Sequence, residues 1–383
     1  MAEERKEQRI APGLAGVPVA ESSICYIDGE QGIIEYRGIP IEQLAENSTF
    51  EETAYLLLMG RLPTRAQLDK FKFDLSRHRR LKYKVVDLIK QLPEGGHPMY
   101  ALVASVAAMG MFYPCSDIMD PEQRYWAGIR LIAKMPTVTA AFHRLRRGDE
   151  HIIPRDDLDH AANFLYMLTG EVPDELTARV MDVCLILHAD HELNASTFSA
   201  RVTGSTLADP YCVVASAIGT LAGPLHGGAN EEVLSMLREI GTLDRVRAYI
   251  EKRVKSKQLI MGMGHRVYKV KDPRATILQK LAVKLFAKHG GTPLYDVGLE
   301  VEKVAKELLG AKGIYPNVDF YSGILYDKIG ISEDLFTPIF GIARVAGWVS
   351  HWIEQLKVNR IYRPSQVYTG AHGVEYTPIH VRE

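Results

Sequence analysis

The chain has 383 residues, enough for two domains or for one large core with a smaller part attached. Hydrophobic residues make up 46% and charged residues 24%, the balance of a globular protein, which excludes a disordered or fibrous chain. Lys plus Arg total 46 against 47 for Asp plus Glu, so the net charge of −1 supplies no global field to draw the chain onto nucleic acid or an anionic membrane.

In chain order, the opening MAEERKEQR carries three glutamates and no apolar core, and matches neither a secretory signal nor a transit peptide. The four cysteines, Cys25, Cys115, Cys184 and Cys212, are far apart and form no C-x-x-C pair, as expected of thiols kept reduced in the cytoplasm. Two β-rich runs, 24–27 and 33–36, flank the turn residues Asp28-Gly29-Glu30 and predict a small N-terminal β hairpin. Helical periodicity takes over from there, predicting helices over 50–59, 65–78, 98–113, 156–168, 175–189 and 337–356. Pro63-Thr64 and Pro173-Asp174 are start signals for two of them. The fold class expected is mainly α.

The basic run 77–84 is expected to be a solvated helix face, since no nucleic-acid module accompanies it. Two stretches, 95–116 and 210–230, are uncharged, but they are rich in Ala, Gly and Ser and broken by Pro or Gly. They predict helices buried on all sides rather than membrane spans, with small residues suited to a close interface between subunits. Composition turns charged and amphipathic over 231–309 and apolar again over 336–356, the pattern of a smaller domain inserted into a larger one with a binding cleft between them.

The densest polar cluster is His188-Ala-Asp-His191-Glu192-Leu-Asn194. On a continuous helix, His188 would share a face with His191 and Glu192 at metal-ligand spacing. The order H-x-x-H-E misses the zinc-hydrolase signatures, and histidines capping carbonyls at a helix end are the alternative. Gly223-Pro-Leu-His226-Gly-Gly places a histidine at the end of an uncharged helix, where burial keeps it neutral and able to donate to a carbonyl oxygen. Met261-Gly-Met-Gly-His265 is a second Gly–His loop, followed by Asp272-Pro-Arg274 and flanked by basic residues that suit phosphates. In Tyr315-Pro-Asn317-Val-Asp319, the carboxylate sits among apolar neighbours, a setting that raises its pKa and makes it a better base; a helix cap is the other reading. Arg344 is the sole charged residue over 337–353, so it faces either an internal carboxylate or a bound anion. Further on, Arg363 lies in a loop-like run that ends in Tyr368-Thr-Gly.

Together HADHELNAST, GPLHGGAN, MGMGHRVYKVKDPRA, YPNVDFYSG, GIARVAGWVSHWIEQ and RPSQVYTG, in this order, resemble the citrate synthase family over nearly the whole chain. The resemblance implies a large helical domain, 1–227 and 331–383, a smaller helical domain, 228–330, that closes over the site, and a homodimer. It implies that Asp319 removes a methyl proton from acetyl-CoA, that His226 hydrogen-bonds the thioester oxygen, and that His265 polarises and protonates the oxaloacetate carbonyl. It assigns His191, Arg274 and Arg344 to oxaloacetate, with Arg363 reaching in from the neighbouring subunit and Arg65, in GRLPTRAQL, as a further substrate contact. Lys257, Gln258, Leu259, Ile260 and Met261 resemble the coenzyme A loop, and Lys312 its phosphate contact. Coenzyme A thioester is then a co-substrate, with no tightly bound cofactor and no metal. No regulatory N-terminal domain of the longer bacterial type is recognised, so inhibition by NADH is not expected. The 2-methylcitrate synthases share all these residues, which leaves propionyl-CoA as an alternative acyl donor.

Overall fold

The computed structural model describes residues 10–382, the side chains of 229 and 230 excepted, and the MAEERKEQR opening lies outside them. The expected hairpin forms as β1 (Cys25–Asp28) and β2 (Ile33–Tyr36), antiparallel with Cys25 opposite Tyr36 and Asp28 opposite Ile33. Asp28 Oδ1 accepts the amides of Glu30 and Gln31, both at 2.9 Å, and so closes the turn. A third strand, β3 (Ile39–Pro40), which the sequence pattern did not suggest, pairs with β2.

The rest is helical. After α1 (Ile41–Asn47) come α2 (Phe50–Met59), α3 (Arg65–His78), α4 (Tyr83–Lys90), α5 (Pro98–Phe112) and α6 (Pro121–Leu145). Next are α7 (His160–Thr169), α8 (Glu175–His188), α9 (Ala195–Ser205) and α10 (Pro210–Leu221). The charged stretch folds as α11 (Ala229–Ile240), α12 (Leu243–Lys255), α13 (Pro273–His289), α14 (Pro293–Leu309) and α15 (Val318–Lys328), before α16 (Phe336–Lys357).

Start signals act as the sequence implies. Thr64 and Gln67 form a reciprocal capping box on α3, and Asp174 accepts the amides of Leu176 and Thr177 at the head of α8. Trp348 and Trp352 of helix α16 are fully buried, and the helix packs on α2, α6, α8, α9 and α10. Helices α11 to α15 pack mainly on one another, α12 on α14, α13 and α11 on α15, while α13 also meets α1 and α8. No helix among the described residues is long and apolar enough to cross a membrane.

Three expectations need correction. The helix expected from 156 begins at His160, because the Arg155 amide is taken by Asn163 Oδ1 at 2.9 Å and Asp159 supplies the first helical carbonyl. The basic run 77–84 is not one helix face: α3 ends at His78, and Arg79 is buried, with Nη1 donating to the carbonyls of Arg155 and Leu158. Nor are the two uncharged helices buried on all sides within the chain. Helix α5 leaves Tyr100 and Met111 exposed, and α10 leaves Cys212 and Gly219 exposed.

Candidate active site

Helix α8 stops at His188, and the residues after it make a turn in which Glu192 adopts a left-handed φ of 47° before Asn194 caps α9. The continuous helix that would have aligned His188, His191 and Glu192 is therefore absent, and the three side chains diverge. His188 Nδ1 donates to the Cys184 carbonyl at 2.7 Å, the helix-end arrangement. His191 Nε2 meets the Tyr268 hydroxyl at 3.2 Å, and Glu192 Oε1 accepts the Ile27 amide at 2.8 Å. Among the described residues no group of three or more His, Cys, Asp or Glu side chains is arranged to hold a metal ion.

His226 sits in a tight turn after α10, held by His226 N to Gly223 O and Gly227 N to Leu221 O. A side chain at Gly227 would press against the Leu221 carbonyl at 2.5 Å, so glycine is required. The Ser196 amide, at the start of α9, donates to His226 Nε2 at 3.3 Å. That nitrogen is thus an acceptor, and the proton of the neutral ring lies on Nδ1. Trp348 Nε1 fixes the Ser196 hydroxyl at 3.1 Å. Burial, aided by the charge of Arg344, pushes the His226 pKa down to about 4, so the ring is neutral at pH 7.

His265 has the opposite tautomer. Its Nδ1 accepts the Val267 amide at 3.0 Å, which leaves the proton on Nε2. Burial and then Arg274 lower its pKa to about 4, against a smaller opposing pull from Asp272. His191, its ring centre 5.1 Å from that of His265, is held well below the usual imidazole range by burial, Arg274, His265 and Arg344. The loop carrying His265 turns at Gly262 and Gly264, with φ of 72° and 84°. A Cβ at Gly262 would come within 2.7 Å of Val233, so both backbone shape and space demand glycine there.

Asn317 joins this loop to Asp319. Its Oδ1 caps α15 by accepting the Asp319 amide at 3.0 Å, its Nδ2 donates to the Gly264 carbonyl at 3.1 Å, and its own amide donates to Gly262 O at 2.9 Å. The cap that α15 requires is therefore supplied by Asn317, and the Asp319 carboxylate is left free, with Oδ1 buried and without a partner among the described residues. Burial lifts the Asp319 pKa to about 6, in spite of Arg274 and Arg344, with Asp272 adding to the rise. The two guanidiniums that act on Asp319 also act on the histidines: Arg344 on His226, Arg274 on His265, and both on His191.

Arg344 is 1% exposed. Its Nε donates to the His188 carbonyl at 2.6 Å and its guanidinium lies 4.7 Å over the Phe340 ring, yet it makes no ion pair among the described residues. Burial lowers its pKa, and Asp190 is the main influence that restores it. Arg274 differs. It has an internal partner, Asp272, with Nε to Oδ1 at 3.0 Å and Nη2 to Oδ2 at 2.8 Å, both side chains nearly fully buried.

The other expected residues make no hydrogen bond to this cluster among the described residues. Arg65 is exposed at the start of α3 and pairs with Asp69. Lys257 to Met261 form a loop folded back on α12, where Arg253 Nε donates to Leu259 O at 2.8 Å; Leu259 is exposed and Ile260 buried. Lys312 is exposed in the short turn after α14, and Arg363 is exposed on the tail after α16. Sequence reasoning missed Ser196, Tyr268, Phe340 and Asp272 as parts of the site. Asn317 had a visible signal, an Asn two residues ahead of an acidic helix start.

Two neutral imidazoles with fixed and opposite tautomers, a carboxylate poised near neutrality and an unpaired buried guanidinium are the equipment of an acid–base enzyme for an anionic substrate. Residues 13–365 match the family model described as citrate synthase, C-terminal domain. The chain is 60% identical over 367 residues to a citrate synthase of Synechocystis sp., covering 96% of this chain and 92% of that one. It is 51% identical to a citrate synthase of Acidithiobacillus ferridurans, covering 97% and 98% of the two. The structure superposes on the crystal structure of citrate synthase from Pyrobaculum aerophilum with a TM-score of 0.91 at 43% identity, over 97% of this chain and 95% of that one. It also superposes on the Thermoplasma acidophilum citrate synthase solved as a ternary complex with carboxymethyl coenzyme A and oxaloacetate, with a TM-score of 0.92 at 33% identity, over 98% and 100%. The chain belongs to the citrate synthase family.

Proposed function

We propose that the chain condenses acetyl-CoA with oxaloacetate and hydrolyses the citryl-CoA formed, releasing citrate and coenzyme A. The observation that carries this reading is the free, raised-pKa carboxylate of Asp319, tied through Asn317 to the loop of a neutral His265. A thioester methyl group is a weak carbon acid, so its deprotonation needs a base and, at the same moment, a donor on the oxygen where charge develops. Asp319 takes the methyl proton and His226 Nδ1–H hydrogen-bonds the thioester oxygen. The resulting enolate carbon attacks the ketone of oxaloacetate, His265 delivers its Nε2 proton to the ketone oxygen as the alkoxide forms, and the proton taken by Asp319 returns to the imidazole, so that both groups end as they began. Water then cleaves the citryl thioester.

Arg344, Arg274 and His191 hold the dicarboxylate in this reading, with Arg344 having no internal carboxylate to surrender and Arg274 shared with Asp272. The loop Lys257 to Met261 and Lys312 receive coenzyme A, whose phosphates suit the lysines. Residues 228–330 act as a smaller domain that closes over the site and keeps water from the enol. The active form is a homodimer, with a second copy covering the exposed faces of α5 and α10 and supplying Arg363. Arg65 is a weaker substrate contact, since reaching the site requires it to leave Asp69. A cytoplasmic location suits four free thiols.

The experiment is release of free thiol on mixing the protein with oxaloacetate and acetyl-CoA. Release is expected, and none with either acetyl- or propionyl-CoA would remove the reading. The relatives compared are named citrate synthases, which favours acetyl-CoA. One extra methylene is worth about 1–3 kcal/mol in an apolar pocket, so kcat/KM for acetyl-CoA should exceed that for propionyl-CoA by roughly 10- to 200-fold. A ratio below one would assign the chain to 2-methylcitrate synthesis instead.

A further inference from the structure

The N-terminal sheet meets the chain beside both histidines assigned to oxaloacetate, by two separate contacts. At one end, Glu192 Oε1 accepts the Ile27 amide of β1 at 2.8 Å, immediately beside His191. The sheet is held to the same turn by Tyr36, whose hydroxyl donates to the Asp190 carbonyl at 2.9 Å and receives the Asp190 amide at 3.2 Å. At the other end, two residues on from Ile27, the Gly29 carbonyl accepts the Lys269 amide at 2.9 Å. Gly29 also lies so close to Val267 that any Cβ would collide with the Val267 carbonyl. Val267 is the residue whose amide sets the tautomer of His265, at 3.0 Å. The path His191, Glu192, Ile27, Gly29, Val267, His265 therefore closes on itself, since the two imidazole rings are 5.1 Å apart.

From this ring we infer that Glu192 is a positioning residue for the proposed condensation, acting through β1 and its turn to hold His265 beside His191. The inference rests on the functional reading above. Glu192 touches neither imidazole through its carboxylate, and the strain of its left-handed backbone is kept where the acceptor meets β1. The sheet makes this span because Gly29 admits the His265 loop with no side chain between them.

The test compares steady-state kinetics of four variants with the wild type. Glu192→Ala should lower kcat at least tenfold and raise the oxaloacetate KM several-fold, while the acetyl-CoA KM changes less than twofold. Glu192→Gln, whose amide oxygen still accepts the Ile27 amide, should recover activity to within about threefold of wild type. Gly29→Ala, which removes no hydrogen-bonding group but pushes Val267 away, should reproduce the Glu192→Ala pattern. Gly38 has a φ of 80° and nothing within 4 Å of its missing Cβ, so Gly38→Ala should lower the melting temperature with kcat and KM unchanged. Wild-type kinetics in Glu192→Ala, or Glu192→Gln as impaired as Glu192→Ala, overturns the inference. Should Glu192→Ala fail to fold, Gly29→Ala decides alone. A wild type that releases no thiol would instead indict the functional reading, so the two failures are distinguishable.

Discussion

Replacing Asp319 with asparagine should cut kcat by about 10²- to 10⁴-fold, the usual contribution of a positioned general base, while the fold survives. The local structure does not depend on the carboxylate. Helix α15 is capped by Asn317, the bond from the Asp319 amide is a backbone bond, and Oδ1 has no partner to lose. The thermodynamic sign runs the other way from activity. A carboxyl raised from 3.8 to about 6 binds its proton more tightly folded than unfolded, so its contribution to stability is greatest at low pH and is lost as pH rises through about 4 to 6. At pH 7 the ionised group costs the fold about 1–3 kcal/mol. Asparagine removes that cost, so the melting temperature at pH 7 should stay level or rise. A variant that unfolds while its remaining folded fraction turns over normally would make Asp319 a structural cap, contrary to the arrangement seen.

Arg344→Leu should raise the oxaloacetate KM by roughly 30- to 4000-fold, with little effect on the acetyl-CoA KM. Removing one side of a buried, hydrogen-bonded charge pair costs about 2–5 kcal/mol, and each 1.4 kcal/mol is tenfold. The free protein gives little reason for a matching loss of stability. Arg344 is fully buried with no carboxylate partner, so its charge is a burden on the apo fold, which leucine relieves. Against that gain stands the His188 carbonyl, which loses the 2.6 Å bond from Nε, a loss of about 1–3 kcal/mol for an unsatisfied buried acceptor. The two effects are of similar size, so thermal stability should change little. Unchanged oxaloacetate affinity in an unstable variant would show that Asp190, the largest influence restoring its charge, is the true partner of Arg344.

Much of the scaffold was legible because local chemistry decides it. Asp28 closes the hairpin turn, Thr64 and Asp174 start their helices, and the extents of α2 and α3 match the helical periodicity. The end of α8 was legible to within one residue, but the turn after it was not, because its cause is distant in sequence: the His188 carbonyl goes to Arg344 and the Ala189 carbonyl to the Gly347 amide. Once α8 stops there, the helical alignment of His188, His191 and Glu192 dissolves. Asp319 had two readings in sequence, base or cap, and Asn317 removes the second by taking the cap itself. Arg344 had two readings in sequence, facing an internal carboxylate or a bound anion; packing shows that Arg274 pairs with Asp272 while Arg344 makes no ion pair among the described residues. The exposed face of α5 and the exposed Arg363 have no role within the single chain; the proposed homodimer would give them one.

The pH profile of kcat/KM for acetyl-CoA reaches the heart of the account. His226 and His265 change charge near pH 4 and Asp319 near 6, so between those values one proton alone should matter. Because the free base is the ionised carboxylate, rate should be level above about pH 7 and fall tenfold per pH unit below 6. A profile still flat at pH 5, or one governed by a group that must be protonated to work, would mean that the methyl proton does not go to Asp319.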